Sequence, residues 1–313
     1  MDNPKISILI PILNEQDSIE YFVQSANEQL VYPQIEFELI FIDDGSSDSS
    51  IEVLRNISSI LSIRVLKLSR NFGKDNAICA GFERCDGDAA IVMDVDMQDP
   101  IEVVLHMIPK WLEGYSIVNG KRASRSGESW LKRTSASLFY KLINKMTRFD
   151  VPKDVGDFKL IDRKAIDVIN MMPEKVRFFK GISAWVGFRQ CDVTYARPKR
   201  FAGQTQWNYF KLWNFALDGF TSFSSAPLKV WTYIGFAVST LSFSYGAFIL
   251  IKALMFGMDV PGYASLLVII TFLFGVVLIG LGIVGEYIAR IYEEVKSRPV
   301  YVLESDDRLD SEK

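Results

Sequence analysis

The stretch "MDVDMQDP", residues 93–100, places Asp94, Asp96 and Asp99 within six positions, directly after the apolar run "AAIV". Carboxylates this close repel one another unless something compensates for their charge. In an extended strand end, residues two apart share a face. The spacing therefore predicts that Asp94 and Asp96 point the same way, with Met93 and Val95 packing behind them. Two carboxylates facing one space suit a hard divalent cation. Mg²⁺ and Mn²⁺ prefer oxygen ligands, and Mg²⁺ takes few carboxylates plus phosphate oxygens. Asp99 stands just before Pro100 and reads as the cap of the next helix. A second acidic cluster, "FIDDGSSD" at 41–48, also closes an apolar run. There Asp43 or Asp44 is placed to accept hydrogen bonds from a base or ribose, although Asp-Gly-Ser also favours a plain turn. "SRNFGKDNA" sets Arg70 and Lys74 beside Gly73, which suits a phosphate-bearing ligand.

These clusters need elements that hold them at one edge. Residues 1 to about 120 alternate strand and helix. The strands are "KISILIPIL", "EFELIFID", "IRVLKLS", "DAAIVMDVD" and "YSIVNGKR". Between them run helical patterns, among them "NEQDSIEYFVQSANEQL", "SIEVLRNISSIL", "KDNAICAGFERC" and "PIEVVLHMIPKWLEG". Near-continuous Ile/Val/Leu strands separated by helices imply an α/β fold with a mostly parallel sheet covered on both faces. Ligands of such sheets bind beyond the carboxyl ends of the strands, where both acidic clusters fall.

The chain has 313 residues, 49 % apolar and 23 % charged, with a net charge of −3. That charge gives no electrostatic case for nucleic acid. The one histidine, His106, lies in a helical pattern, so a Ser-His-Asp triad or a multi-histidine zinc site is excluded as a reading. Cys79, Cys85 and Cys191 lack metal-ligand spacing and read as reduced thiols facing the cytoplasm. The amino terminus reads as a first buried strand, because Asn14-Glu15-Gln16 stands where a signal-peptide cleavage site would be.

The second half changes character. Residues 204–228 are rich in aromatics, with Lys211, Asn214, Asp218 and Ser222 forming a polar stripe at helical spacing. This predicts an amphipathic helix in a membrane interface. Residues 230–251 and 263–285 carry no charge, and each exceeds the roughly 20 residues needed to cross a bilayer. Arg290, Lys296 and Arg298 follow the second run, so the positive-inside bias places both ends of the pair in the cytoplasm. Gly275, Gly280, Gly282 and Gly285 suit close helix approach within or between chains. The expected organisation is a catalytic domain over 1–203, an interfacial helix over 204–228, a two-helix anchor over 229–289, and a cytoplasmic tail over 290–313 whose polar end, "LESDDRLDSEK", is frayed.

In order along the chain, "ISILIPILNE", "FIDDGSSD", "SRNFGK", "MDVDMQDP", "NGKR", "GDFKLIDR" and "RFAGQTQW" resemble glycosyltransferase family 2 of the polyprenyl-phosphate type, nearest to bacterial and phage bactoprenol glucosyltransferases. The family loop is more often Asp-Ala-Asp-Leu-Gln-Asp-Pro; here Val95 and Met97 replace its apolar positions and the polar ones are kept. The resemblance implies a GT-A fold, a UDP-sugar donor, Mg²⁺ or Mn²⁺, and inverting transfer to undecaprenyl phosphate. By position it puts Pro11, Asn14, Glu15 and Asp43 or Asp44 in the donor pocket, with Asp94 near the ribose; Lys74 and Gln98 are further donor-binding candidates. It assigns the metal to Asp94, Asp96 and Gln98. Asp96 and Asp157 are implied catalytic residues, Asp157 orienting the acceptor or acting as base.

An acceptor phosphate is already anionic near neutral pH, so a strong base is not required. Basic residues must instead hold it, and Arg122, Arg133 and Arg200 are candidates, Arg200 also in a catalytic role. Arg125 and Lys132 read equally well as solvated charges or headgroup contacts. Gly203 and Thr205 lie in a segment suited to close on substrate. Glucose is the expected sugar for surface glycan modification; mannose, N-acetylglucosamine and an amino-pentose are the alternatives. A separate flippase, the lipid bilayer and a homo-oligomer are the expected partners. A processive synthase fits less well, since two spans provide little for a pore and Gln-x-x-Arg-Trp is missing. A non-enzymatic membrane scaffold is the reading of a different class, and the intact acidic set argues against it.

Overall fold

The computed structural model describes residues 3–123, 155–172, 174, 179–196, 226–256 and 262–309. The expected interfacial helix lies outside the described residues up to 225, as do Arg125, Lys132, Arg133, Arg200, Gly203 and Thr205. The chain forms two compact units, residues 1–216 with 298–313, and residues 217–297.

The first unit is an eight-stranded sheet in the order β7-β5-β6-β4-β1-β2-β3-β8. Its strands are β1 Lys5–Ile12, β2 Glu36–Asp43, β3 Ser62–Leu68, β4 Ala89–Val92, β5 Ile117–Arg122, β6 Val155–Asp162, β7 Gln190–Tyr195 and β8 Leu303–Leu309. β1 pairs in parallel with β2 and β4, β2 with β3, and β5 with β7. Only β6 and β8 run against the rest. The expected GT-A-like sheet, mostly parallel and covered on both faces, is present.

The apolar runs explain this sheet. β1 buries every residue from Ile6 to Ile10, as a strand covered on both sides must. On one face α1 (Gln16–Gln29) presents Ile19, Phe22, Val23 and Ala26, a stripe of helical period, and Phe22 meets Phe41 of β2 edge-on at 6.1 Å. Each fully buried side chain of this size contributes roughly 1.5–3 kcal/mol. A short α2 (Ser50–Asn56) follows β2; it ends at Asn56, earlier than the periodicity of 50–61 predicts. On the opposite face α3 (Lys74–Arg84) packs Gly81 against Leu9 and Ile42. α4 (Ile101–Leu112) buries Ile101, Val104, Met107 and Ile108 and leaves His106 exposed. α5 (Arg163–Asn170) and α6 (Phe179–Trp185) follow β6.

Two further sequence expectations fail here. The strand before the acidic cluster ends at Val92, not at Asp96, because residues 95 and 96 form a turn. The carboxyl-terminal tail is not frayed over residues 303–309, which form β8, antiparallel to β3. Its charges find partners. Arg64 binds both carboxylate oxygens of Asp306, at 2.7 and 2.8 Å, while Lys67 pairs with Glu304 and Arg308 with Asp86. Just before it, the Tyr301 hydroxyl donates to Glu83 at 2.5 Å.

The second unit contains α7 (Ala226–Phe256) and α8 (Tyr263–Val295). Large apolar side chains on both are exposed, among them Phe236, Phe243, Phe272 and Ile279. Among the described residues one stretch, Phe272–Val295 with mean hydropathy 2.1, is long and apolar enough to cross a membrane. Trp231 of α7 lies against Gly280 of α8, where an added Cβ would stand 2.0 Å from the indole nitrogen. Only glycine permits that approach.

Candidate active site

The carboxyl ends of the parallel strands enclose a cleft of about 250 Å³. β1 contributes Pro11 and Ile12, followed by Leu13 and Glu15; the other walls come from Asp44, Asn71, Gly73, Lys74 and Asp94–Asp96. Three loops must hold still for this to work, and polar side chains fix them. Asp44 accepts the backbone N–H of Phe72 at 2.7 Å and of Gly73 at 2.9 Å, which ties the loop after β2 to the one before α3. Burial nevertheless raises its carboxyl above the ordinary value, with Asp43 adding to the rise. Gly45 has φ +78°, and a Cβ there would lie 2.6 Å from the Arg70 carbonyl carbon, so this loop contact requires glycine.

Asn14 braces the loop after β2. It does not line the cleft. Its side-chain oxygen accepts the N–H of Ser47 at 2.8 Å, and its own N–H donates to Ser46 Oγ at 2.9 Å. Asp48 and Ser50 accept the N–H groups of Gln16 and Glu15, so the loop after β2 caps α1 from outside. Asp43 Oδ1 accepts the N–H of Ser46. Its Oδ2 is buried and finds no partner among the described residues.

Asp94 and Asp96 both reach the cleft, but a turn brings them there rather than strand alternation. Met97 closes that turn in the left-handed region at φ +58°. Met93 and Val95 do pack behind, each 2 % exposed. Asp96 is buried and its Oδ1 accepts the N–H of Gln98 at 3.1 Å. Gln98 itself does not line the cleft. Asp99 leaves the cluster altogether. The α4 cap is Pro100, with no side-chain cap bond, and buried Asp99 accepts the hydroxyl of Tyr195. Burial and then Asp99 hold that hydroxyl well above its usual pKa; Arg122 bonds it from another side. Arg122 Nε is buried without an acceptor among the described residues, and its guanidinium stands over Gly156, next in sequence to Asp157.

Lys74, in the first turn of α3, joins the two halves of the site. Its Nζ lies 2.6 Å from Asp94 and 3.1 Å from Asp157 of β6. Burial opposes the ammonium charge, but Asp94 and then Asp157 outweigh it and raise the pKa. Burial would push the Asp157 carboxyl up; Lys74 and then Lys180 reverse this and hold it at about 2.

A buried layer behind these residues escaped sequence reasoning. Asp75 accepts the N–H of Phe179, and burial, with Asp157 adding, lifts its carboxyl to about 7. Lys159 is fully buried in β6, donates to Ser183 Oγ and faces the Phe179 ring. A lysine inside the apolar run "FKLI", two residues from Asp157 and so on its face, was the available signal. Burial lowers the Lys159 ammonium from 10.5 to about 8, against the pull of Asp157 and with Lys180 lowering it further. Between those values the unfolded chain binds the extra proton, so this group makes stability rise with pH across about 8 to 10.5. The shift corresponds to roughly 3 kcal/mol. Denaturant unfolding of wild type and Lys159→Met across that window should show wild type gaining by up to this amount relative to the variant; a constant difference would refute it.

The oxygen donors fit a hard cation. Asp94 and Asp96 offer two carboxylates at an open cleft, and among the described residues no three His, Cys, Asp or Glu side chains form a closed cage. Such a set leaves positions for phosphate oxygens and water, the habit of Mg²⁺.

Residues 7–169 match the model of glycosyl transferase family 2, and residues 226–291 that of the GtrB C-terminal hairpin. An uncharacterized glycosyltransferase of Synechocystis sp. is 49 % identical over 96 % of this chain and 94 % of its own length. The prophage-derived bactoprenol glucosyl transferase of Shigella flexneri is 47 % identical over 97 % and 99 %. The prophage bactoprenol glucosyl transferase homolog of Escherichia coli is 46 % identical over 96 % and 98 %. With a matching catalytic domain, a matching hairpin and relatives similar from end to end, the chain belongs to glycosyltransferase family 2 and is a glycosyltransferase.

Proposed function

We propose that this enzyme transfers glucose from UDP-glucose to undecaprenyl phosphate, with inversion and with Mg²⁺ or Mn²⁺, at the cytoplasmic face of a bacterial membrane. The observation that carries the reading is the cleft: two carboxylates on one wall, joined through Lys74 to a third on β6, at the carboxyl edge of the sheet. The sugar and the lipid are drawn from relatives named bactoprenol glucosyl transferase.

The bond that forms joins an acceptor phosphate oxygen to the anomeric carbon; the bond that breaks joins that carbon to the diphosphate. Asp94 and Asp96 would hold the cation, which supplies charge stabilisation to the leaving diphosphate. Pro11, Glu15 and Asp44 shape the donor side, and Asp43 Oδ2 offers a free acceptor beside it. Arg122, whose guanidinium stands beside Gly156, would hold the acceptor phosphate. Asp157, held at about 2 by Lys74 and Lys180, is a poor base. It orients cationic groups, and the acceptor phosphate arrives already ionised.

α7 and α8 form the two-helix anchor, with both ends on the cytoplasmic side beside Arg290, Lys296 and Arg298. The lipid-linked product feeds surface glycan modification after a separate flippase moves it, and the chain works as a homo-oligomer. Full-length protein incubated with undecaprenyl phosphate and labelled UDP-glucose should yield a labelled lipid only when Mg²⁺ or Mn²⁺ is present. Transfer from another nucleotide sugar in the same panel would replace glucose. No labelled lipid from any donor would overturn the reading.

A further inference from the structure

We propose that Lys74 is a stand-in cation, whose ammonium holds Asp94 until a divalent cation and the donor diphosphate displace it. The inference rests on the reading of Asp94 and Asp96 as the cation's ligands. The geometry supplies the rest. Nζ stands between Asp94 and Asp157, at 2.6 and 3.1 Å. Asp96 is buried on the same wall.

Helix stability does not explain the position. Lys74 opens α3, and a cation at a helix amino terminus opposes the helix dipole. Its two carboxylate partners provide the compensation. The side chain is 40 % exposed, so it has room to swing away. A divalent cation on Asp94 would sit within a few ångströms of the ammonium in its present place, and the two would repel. Lys74 must therefore release Asp94 when the cation enters, and the incoming diphosphate offers it new oxygens. Asp157 loses a share of its partner in the same step, so donor loading is coupled to the acceptor side.

This exchange requires effects of opposite sign. Without Lys74 the cation meets no competitor, yet the diphosphate loses a contact. Mn²⁺ binding to the full-length protein, followed by the electron paramagnetic resonance signal of free Mn²⁺ without donor, should be about fivefold or more tighter in Lys74→Gln than in wild type. Binding of UDP at saturating Mn²⁺ should weaken by about fivefold or more in the same variant. Lys74→Arg keeps the charge and should stay within about twofold of wild type for Mn²⁺. Lys74→Met carries the same expectations should the glutamine variant not fold. Unchanged or weaker Mn²⁺ binding in Lys74→Gln, with Mn²⁺ still binding wild type, overturns the exchange alone. Absence of Mn²⁺ binding to every form overturns the cation reading and the exchange with it.

Discussion

Asp96→Asn should lower sugar transfer by at least about 10³-fold and leave the unfolding midpoint within a few degrees of wild type. A cation held at this wall, as proposed, would supply several kcal/mol of charge stabilisation to the leaving diphosphate, and each 1.36 kcal/mol is a factor of ten in rate. Asp96 is buried on the cleft wall, where its charge is least screened by water. Asparagine keeps the shape. Its side-chain oxygen can still accept the Gln98 N–H that Asp96 Oδ1 now accepts at 3.1 Å. The turn therefore persists while the charge is lost. Single-turnover transfer of labelled glucose to undecaprenyl phosphate, read beside thermal unfolding, separates the two effects. Retention of more than a tenth of the activity would remove Asp96 from the cation site.

That prediction was half legible in the amino-acid sequence. The runs "ISILI" and "AAIV" betray strands buried on both faces, and strands of that kind place their following loops at one edge. The location of the acids follows from this. Their convergence does not, because it depends on the left-handed conformation of Met97, which no side-chain pattern announces. Asp99 is misread for a related reason. Its partner, Tyr195, lies 96 residues away, and local capping rules see only neighbours. Asn14 illustrates the same limit: its contacts with Ser46 and Ser47 span a helix and a strand, so its bracing of that loop is invisible to local rules. β8 is the largest omission. "LESDDRL" has no apolar alternation to mark it as a strand. It is held by the open backbone edge of β3 and by charges drawn from β3 and the end of α3, none of which is local.

The weight carried by β8 gives the second large effect. Ending the chain after Val302 should lower the unfolding midpoint of the sheet unit by on the order of 10 °C. The deletion removes a full antiparallel ladder, from Ile63 opposite Leu309 to Leu68 opposite Leu303. Neutral hydrogen bonds contribute about 0.5–1.5 kcal/mol each and charged ones about 1.5–3. The entropy of ordering seven residues offsets much of this, and in a unit of this size each kcal/mol of net loss moves the midpoint by about 2–4 °C. Asp306→Ala isolates the principal clamp. It leaves the Arg64 guanidinium, 12 % exposed, without its bidentate partner, and should cost roughly 1–2 kcal/mol. The hydrogen bond from Arg64 is also what lowers the Asp306 pKa below 3.8. A depressed carboxyl stabilises above its unfolded pKa and loses that contribution as pH falls through the folded one, so the gap between wild type and Asp306→Ala should close below about pH 4. Truncation has a consequence that the single substitution lacks: β3 becomes an open edge, ready to pair with another chain. Detergent-solubilised truncated protein should therefore associate on mild heating, while Asp306→Ala stays dispersed. An unchanged midpoint after truncation would mean that β8 follows the sheet without supporting it.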